Sequence, residues 1–199
     1  MIARLSRKTG DGLEIDFAAE EKFDALPKTR EVTGPSAFLA VQEGCDKFCT
    51  FCAVPYTRGR EVSRPSAEIL GEVGRLLDQG YKSITLLGQN VNSYRFEEGG
   101  RAVDFPTLLR LVAERVEGSA IRWVRFLSSH PKDLSSEAIA VMRSHPILCR
   151  HLHLCVQHGS NRILAAMNRR YTRERYLELV DEIRTALPEA SLSTDILIG

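Results

Sequence analysis

Residues 37–41, Ala37-Phe38-Leu39-Ala40-Val41, form a short apolar run bounded by Pro35 and Gly44. A run of this length between breakers predicts a buried strand. The period then changes. Pro65 opens a helical pattern with Glu68 in its first turn, Ile69, Leu70, Val73, Leu76 and Leu77 on one face, and Gly80 at its end. The same unit recurs down the chain. Strands are predicted at 83–87, 121–127, 151–156 and 191–198. Helices are predicted at 105–116, with Leu108, Leu109, Val112 and Val116 on one face, and at 135–144, 161–167 and 173–186. Strands alternating with helices predict an α/β fold with parallel pairing and right-handed crossovers. Residues 1–34 are different: polar and mixed, broken by Gly10-Asp11-Gly12, Pro27 and Gly34-Pro35, with one short strand expected at 13–17.

Composition narrows the class without naming a chemistry. With 199 residues, 43% of them hydrophobic and 27% charged, the chain can build one good core. A formal net charge of +1 neither demands nor excludes a nucleic-acid partner, because local patches matter more than the sum. No apolar run approaches a membrane span, and the N-terminus Met1-Ile2-Ala3-Arg4-Leu5 does not read as a signal peptide. Five cysteines, an odd and clustered set, are unlike a secreted disulfide framework and suit a reducing cytoplasm.

Three of those cysteines carry the chemistry. Gly44-Cys45-Asp46-Lys47-Phe48-Cys49-Thr50-Phe51-Cys52 follows the first predicted strand. Thiolates hold zinc and iron–sulfur clusters, and so close a spacing lets one loop converge on one centre. Structural zinc needs four ligands; three local cysteines on a four-iron cluster leave one iron open to a substrate or cofactor. Zinc with a distant histidine as fourth ligand, and plain reduced thiols, stand as alternatives.

The Cys-x3-Cys-x2-Cys spacing, with Phe51 before the last cysteine, resembles the radical S-adenosylmethionine (SAM) enzymes. The wider string from Val41-Gln42-Glu43-Gly44 to Val54-Pro55-Tyr56-Thr57-Arg58-Gly59 is similar to the tRNA methylthiotransferase branch. So are Leu86-Leu87-Gly88-Gln89-Asn90-Val91-Asn92, Ser128-Ser129-His130-Pro131 and Gln157-His158-Gly159-Ser160. Each of these strings begins at or next to the C-terminal end of a predicted strand, the rim that carries active sites in parallel barrels. The resemblance implies an incomplete, TIM-like radical-SAM barrel at 35–199, cut after the fifth of six strands. Residues 1–34 would be a connector from a preceding domain.

The implied activity is methylthiolation of C2 of N6-isopentenyladenosine beside the anticodon of tRNA. The implied cofactors are a [4Fe-4S] cluster on Cys45, Cys49 and Cys52, and SAM, cleaved to a 5′-deoxyadenosyl radical. Phe51 would lie beside the SAM adenine, Gly88, Gln89 and Asn90 would meet its amino group, and Ser128, Ser129 and Gln157 its ribose or carboxylate. A reductant such as flavodoxin or ferredoxin would supply the electron, and the full-length protein would be a cytoplasmic monomer with no membrane partner. Related enzymes acting on threonylcarbamoyladenosine tRNA or a ribosomal protein, and a non-enzymatic electron carrier, are the other readings. The chain has no second cysteine triplet for the cluster that supplies sulfur in this family, so alone it is expected to leave tRNA unmodified.

Several further residues invite a role. Asp195 lies in an apolar stretch and suggests a ligand or arginine partner, or else a solvated face. The run Arg169-Arg170-Tyr171-Thr172-Arg173-Glu174-Arg175, followed by Tyr176, mixes cations and rings as RNA contact requires. Arg58, Arg60 and Arg64 flank the cysteine loop and suit an anion. Cys155 stands where the family usually carries proline, and like Cys149 is expected to be a buried thiol, with a minor redox role open to Cys155 because it is near Gln157.

Overall fold

A computed structural model describes residues 22–23 and 34–198. The strand expected at 13–17 and most of the expected connector lie outside the described residues. The main sheet is parallel, with β1 (Ser36–Ala40), β4 (Ser83–Leu87) and β7 (Trp123–Phe126) in that order. Its register pairs Phe38 with Thr85 and Thr85 with Arg125. β8 (His151–His153) and β9 (Ser191–Ser193) form a second parallel pair. Single bridges, Val124 to Leu148 and Ser129 to Leu154, join that pair to the edge at β7. The parallel α/β expectation therefore holds, and the strands form an open arc rather than a closed barrel.

Alternation along each strand decides what is buried. Ala37, Leu39, Ile84, Leu86, Val124 and Phe126 point to the helix side and are buried. The opposite side, the lumen of the arc, carries Phe38, Trp123 and Arg125, all exposed. The helix layer is made of α2 (Ser66–Asp78), α3 (Phe105–Val116), α4 (Ser136–Ser144) and α6 (Arg173–Ala186); α1 (Val54–Thr57) and α5 (Asn161–Ala166) are short pieces at the rim. Asp104, Ser135 and Thr172 cap α3, α4 and α6 by accepting from the backbone N–H three residues on. Ile69, Val73, Leu108, Leu109, Val112, Ile139, Met142 and Ile183 are buried in one core with the helix side of the sheet.

Some elements differ from expectation. The strands at 121–127, 151–156 and 191–198 are shorter, because their apolar pattern runs on into rim loops whose backbone no longer follows the ladder. Two antiparallel pairs were not expected. β2 (Gln42–Glu43) pairs with β3 (Val62–Ser63) across the base of the cysteine loop. β5 (Arg95–Glu98) and β6 (Arg101–Asp104) form a hairpin around Gly99 and Gly100 whose paired Phe96 and Val103 pack against the core.

Candidate functional site

The cysteine loop leaves β2 at Gly44 and returns at β3. Gly44 has φ +83, and a Cβ there would lie 2.0 Å from the Arg60 carbonyl oxygen. Only glycine lets the two limbs meet, and Cys45 N–H then donates to the Gly59 carbonyl at 3.3 Å. Within the loop, Cys52 N–H donates to the Cys49 carbonyl at 2.9 Å. Lys22 reaches in from the sequence before β1 and donates to the carbonyls of Arg58 and Arg60.

Three other rim segments brace the loop. After β4, Gln89 Oε1 accepts from Gly44 N–H at 2.6 Å. Gly88 packs where a Cβ would stand 2.7 Å from Gln42 Oε1, and that oxygen accepts from Asn90 N–H. The buried Asn90 amide donates to Asp133 at 2.7 Å and accepts from His130 N–H at 3.2 Å. Asp133 also pairs with Lys47 of the loop at 2.7 Å, and together these hold its carboxyl below the usual range against the opposing effect of burial. The third brace follows α5. Asn168 Nδ2 donates to the Phe48 carbonyl at 2.9 Å, Thr50 N–H to Met167 O at 3.2 Å, and Arg169 Nη1 to Cys49 Sγ at 3.4 Å.

Backbone strain concentrates here. Among the described residues, the non-glycine residues with positive φ are Phe48, Ser128, Gln157, Asn168 and Arg170, every one of them in the cysteine loop or at a rim segment. Such conformations persist where surrounding structure holds them, and they cluster at functional sites. Ser129 Oγ and both polar atoms of the Asn92 amide are buried without a partner among the described residues. Phe51 is exposed beside the loop, as are Phe48 and Tyr56, which meet edge to face.

The donor set fits an iron–sulfur cluster better than a single ion. Among the described residues, only His153, Cys155 and Asp195 bring three ligand atoms within 4.8 Å of one another. Cys45, Cys49 and Cys52 are not all gathered that closely, whereas one tetrahedral zinc would bring its sulfurs to roughly 3.8 Å of one another and a four-iron cluster spreads them over separate irons. Burial raises the Cys45 thiol above its ordinary value, and the nearby Glu61 adds to that. A bound cationic metal centre would reverse this and hold it as thiolate.

Other sequence-based expectations find different partners. Arg64 is buried and pairs with Glu72 and Glu68 of α2 instead of facing the loop's open side. Arg58 pairs with Glu43, while Arg60 is largely exposed beside Asp46. Arg169, read from the sequence as part of a charged surface run, is 5% exposed and turned inward onto Cys49 and the Cys155 carbonyl. Tyr171 lies against it and donates to the Val156 carbonyl at 2.8 Å. Cys155 and Cys149 are half-buried rather than buried, because the lumen side is open. Asp195 faces His153 and Cys155 and pairs with no arginine among the described residues.

The chain is similar to known proteins. The model of the Radical SAM superfamily matches residues 39–199. A tRNA-2-methylthio-N(6)-dimethylallyladenosine synthase from Bacteroides fragilis is 52% identical over 189 residues, covering 94% of this chain and 41% of that protein. One of the same name from Paracoccus denitrificans is 48% identical over 194 residues, 96% of this chain and 43% of the relative. The chain thus spans about two-fifths of the length of these curated relatives. Among solved structures, the radical S-adenosylmethionine methyltransferase TsrM from Kitasatospora setae, with cobalamin and a [4Fe-4S] cluster bound, aligns at TM-score 0.63 and 18% identity, over 81% of this chain and 31% of that one. The cobalamin-dependent S-adenosylmethionine radical enzyme OxsB aligns at TM-score 0.63 and 14% identity, over 80% and 23%. At those identities the likeness speaks for the fold.

Proposed function

The chain belongs to the radical SAM superfamily, and from that premise we propose that it is the catalytic core of a tRNA methylthiotransferase acting on C2 of N6-isopentenyladenosine beside the anticodon. The observation that carries the substrate is the identity of about half the residues to synthases of that name over nearly the whole chain. Cys45, Cys49 and Cys52 would hold a [4Fe-4S] cluster, their three thiolates leaving one iron for SAM. When bound, the cluster and SAM supply a one-electron route to a carbon-centred radical.

The chain's own residues do the rest. Gln89, Asp133, Asn168 and Arg169 fix the loop from three sides and so would hold the three cysteines in place for a cluster. Phe51 offers a face for the adenine, and Gly88, Gln89, Asn90, Ser128, Ser129 and Gln157 form the wall on which the rest of SAM would lie. Asn90 works there by holding Asp133 and His130 in place, since its amide is already engaged. Substrate tRNA and a small electron donor such as flavodoxin or ferredoxin would meet the rim, and the reaction belongs in the cytoplasm, where tRNA is modified. Among the described residues, no helix is long and apolar enough to cross a membrane.

The test is nucleoside mass spectrometry of isopentenylated tRNA incubated anaerobically with iron-loaded protein, SAM and a reductant. A protein carrying this core within the full span of its relatives should form the 2-methylthio nucleoside, and the 199-residue chain alone should not. Methylthiolation of threonylcarbamoyladenosine instead would redirect the substrate assignment.

A further inference from the structure

A second group of ligand side chains lies on the lumen side of β8 and β9, outside the cysteine loop. The parallel register sets His153 opposite Ser193, and past the ladder Gln157 N–H still donates to the Asp195 carbonyl at 3.0 Å. Alternation then puts His151, His153 and Cys155 on one face with Ser193 and Asp195, while Leu152 and Leu154 are buried on the other. His153 Nε2 lies 3.0 Å from Cys155 Sγ and 3.3 Å from Asp195 Oδ2, and Sγ lies 3.6 Å from the same oxygen.

We propose that His153, Cys155 and Asp195 form a second metal site, for a zinc ion, with its fourth position open to the lumen. Tetrahedral zinc with bonds of about 2.0–2.3 Å sets its ligand atoms roughly 3.4–3.6 Å apart. The Nε2–Oδ2 and Sγ–Oδ2 separations already match, and closing on the ion requires only that Nε2 and Sγ part by about half an ångström. The outer contacts are also in place. His153 Nδ1 is 2.9 Å from Ser193 Oγ, and His151 Nε2 is 3.0 Å from the same oxygen. With zinc on Nε2, His153 carries its proton on Nδ1 and donates it to Ser193 Oγ, whose own hydrogen goes to His151 Nε2. That arrangement orients a metal-bound imidazole.

A Cys-His-Asp nucleophile is the competing reading, and the geometry opposes it. In such a triad the carboxylate orients the histidine from the nitrogen away from the nucleophile. Here Asp195 and Cys155 share Nε2, which is how ligands gather around a common centre. Among the described residues no lysine or arginine pairs with Asp195. Binding exchanges the Cys155 S–H proton, released to solvent, for a Zn–S bond, and no electron moves. The site is one side chain from the cysteine loop, since Arg169 donates to both Cys49 Sγ and the Cys155 carbonyl. An open zinc position there would take a sulfur or oxygen donor.

The test loads the protein anaerobically with iron and sulfide, so that the cysteine loop is occupied, and then adds zinc alone. Metal analysis after gel filtration and competition with a chromophoric chelator measure retention and affinity. About one zinc per chain should remain beside the iron, and it should be lost in Cys155→Ser and His153→Asn proteins that keep wild-type circular dichroism. Ser193→Ala should weaken it about tenfold or more. The triple variant Cys45→Ala/Cys49→Ala/Cys52→Ala should lose the iron and keep the zinc, which separates this site from the proposed cluster. No retained zinc in the folded iron-loaded protein, or equal affinity in the wild-type and Cys155→Ser proteins, would overturn the proposal.

Discussion

Arg169 Nη1 lies 3.4 Å from Cys49 Sγ, across 120 residues of sequence. The same guanidinium donates to the Cys155 carbonyl at 2.9 Å and, through Nε, to Tyr171 Oη at 3.1 Å. It ties the first rim loop of the sheet to the fourth. Hydrogen bonds from a buried cation are each worth about 1.5–3 kcal/mol. Arg169→Ala should therefore cost about 2–4 kcal/mol of stability and loosen the loop. Thermal unfolding together with iron content after reconstitution checks this. Arg169→Lys should restore little, because one ammonium cannot reproduce the fork that reaches three acceptors.

Gly44 sets the entry of the loop. Alanine there would have to hold φ +83 and push against the Arg60 carbonyl. The left-handed conformation alone costs about 1–2 kcal/mol, and backbone contact at that range adds more. Gly44→Ala should lower the melting temperature and leave the protein with under half of the wild-type iron, while Gly80→Ala, equally left-handed at φ +79 but in open space, should lose stability without losing iron. Equal iron in both variants would show that loop closure at Gly44 is not required.

His130 gives a pH dependence whose sign can be worked out. Burial, followed by the Arg169 charge, holds its imidazole down to about 3. In the unfolded chain it titrates near the ordinary 6.5. Between those values the unfolded state binds a proton that the folded state does not, so stability falls as the medium is acidified below 6.5. The slope should approach but not exceed about 1.4 kcal/mol per pH unit from this group. Urea unfolding of iron-free protein between pH 7 and pH 4.5 should show that loss. His130→Asn, whose side-chain oxygen can still accept from Lys132 N–H as Nδ1 does at 3.2 Å, should flatten it. Asp133 also loses its advantage on acidification, but only as pH falls through the ordinary value of 3.8, below that window.

The sequence carried the alternation of strands and helices because each buried face leaves a period in the apolar residues. β4 and α3 have their expected bounds, since Ile84, Leu86 and the Leu108, Leu109, Val112 face are all core. The β5–β6 hairpin escaped notice because its strands are short and mostly polar, with one apolar cross-strand pair, Phe96 and Val103, too brief to leave a period in the sequence, although Gly99-Gly100 is a turn signal. In the site, local strings marked the cysteines and Gln89. Arg169 could not be read the same way: a cation amid four arginines looks solvated, and only the tertiary fold turns one of them inward. Asp195 likewise finds its neighbours through strand register, which single-sequence periodicity does not specify.

Cys45, Cys49 and Cys52 are proposed to hold one cluster whose open iron would bind SAM. Anaerobic reconstitution, iron and sulfide analysis, and electron paramagnetic resonance of the reduced protein with and without SAM test it most directly. About four iron and four sulfide per chain are expected, with a signal that changes when SAM is added. A protein that takes zinc at these cysteines and no iron, or a cluster whose signal SAM leaves unchanged, would contradict it.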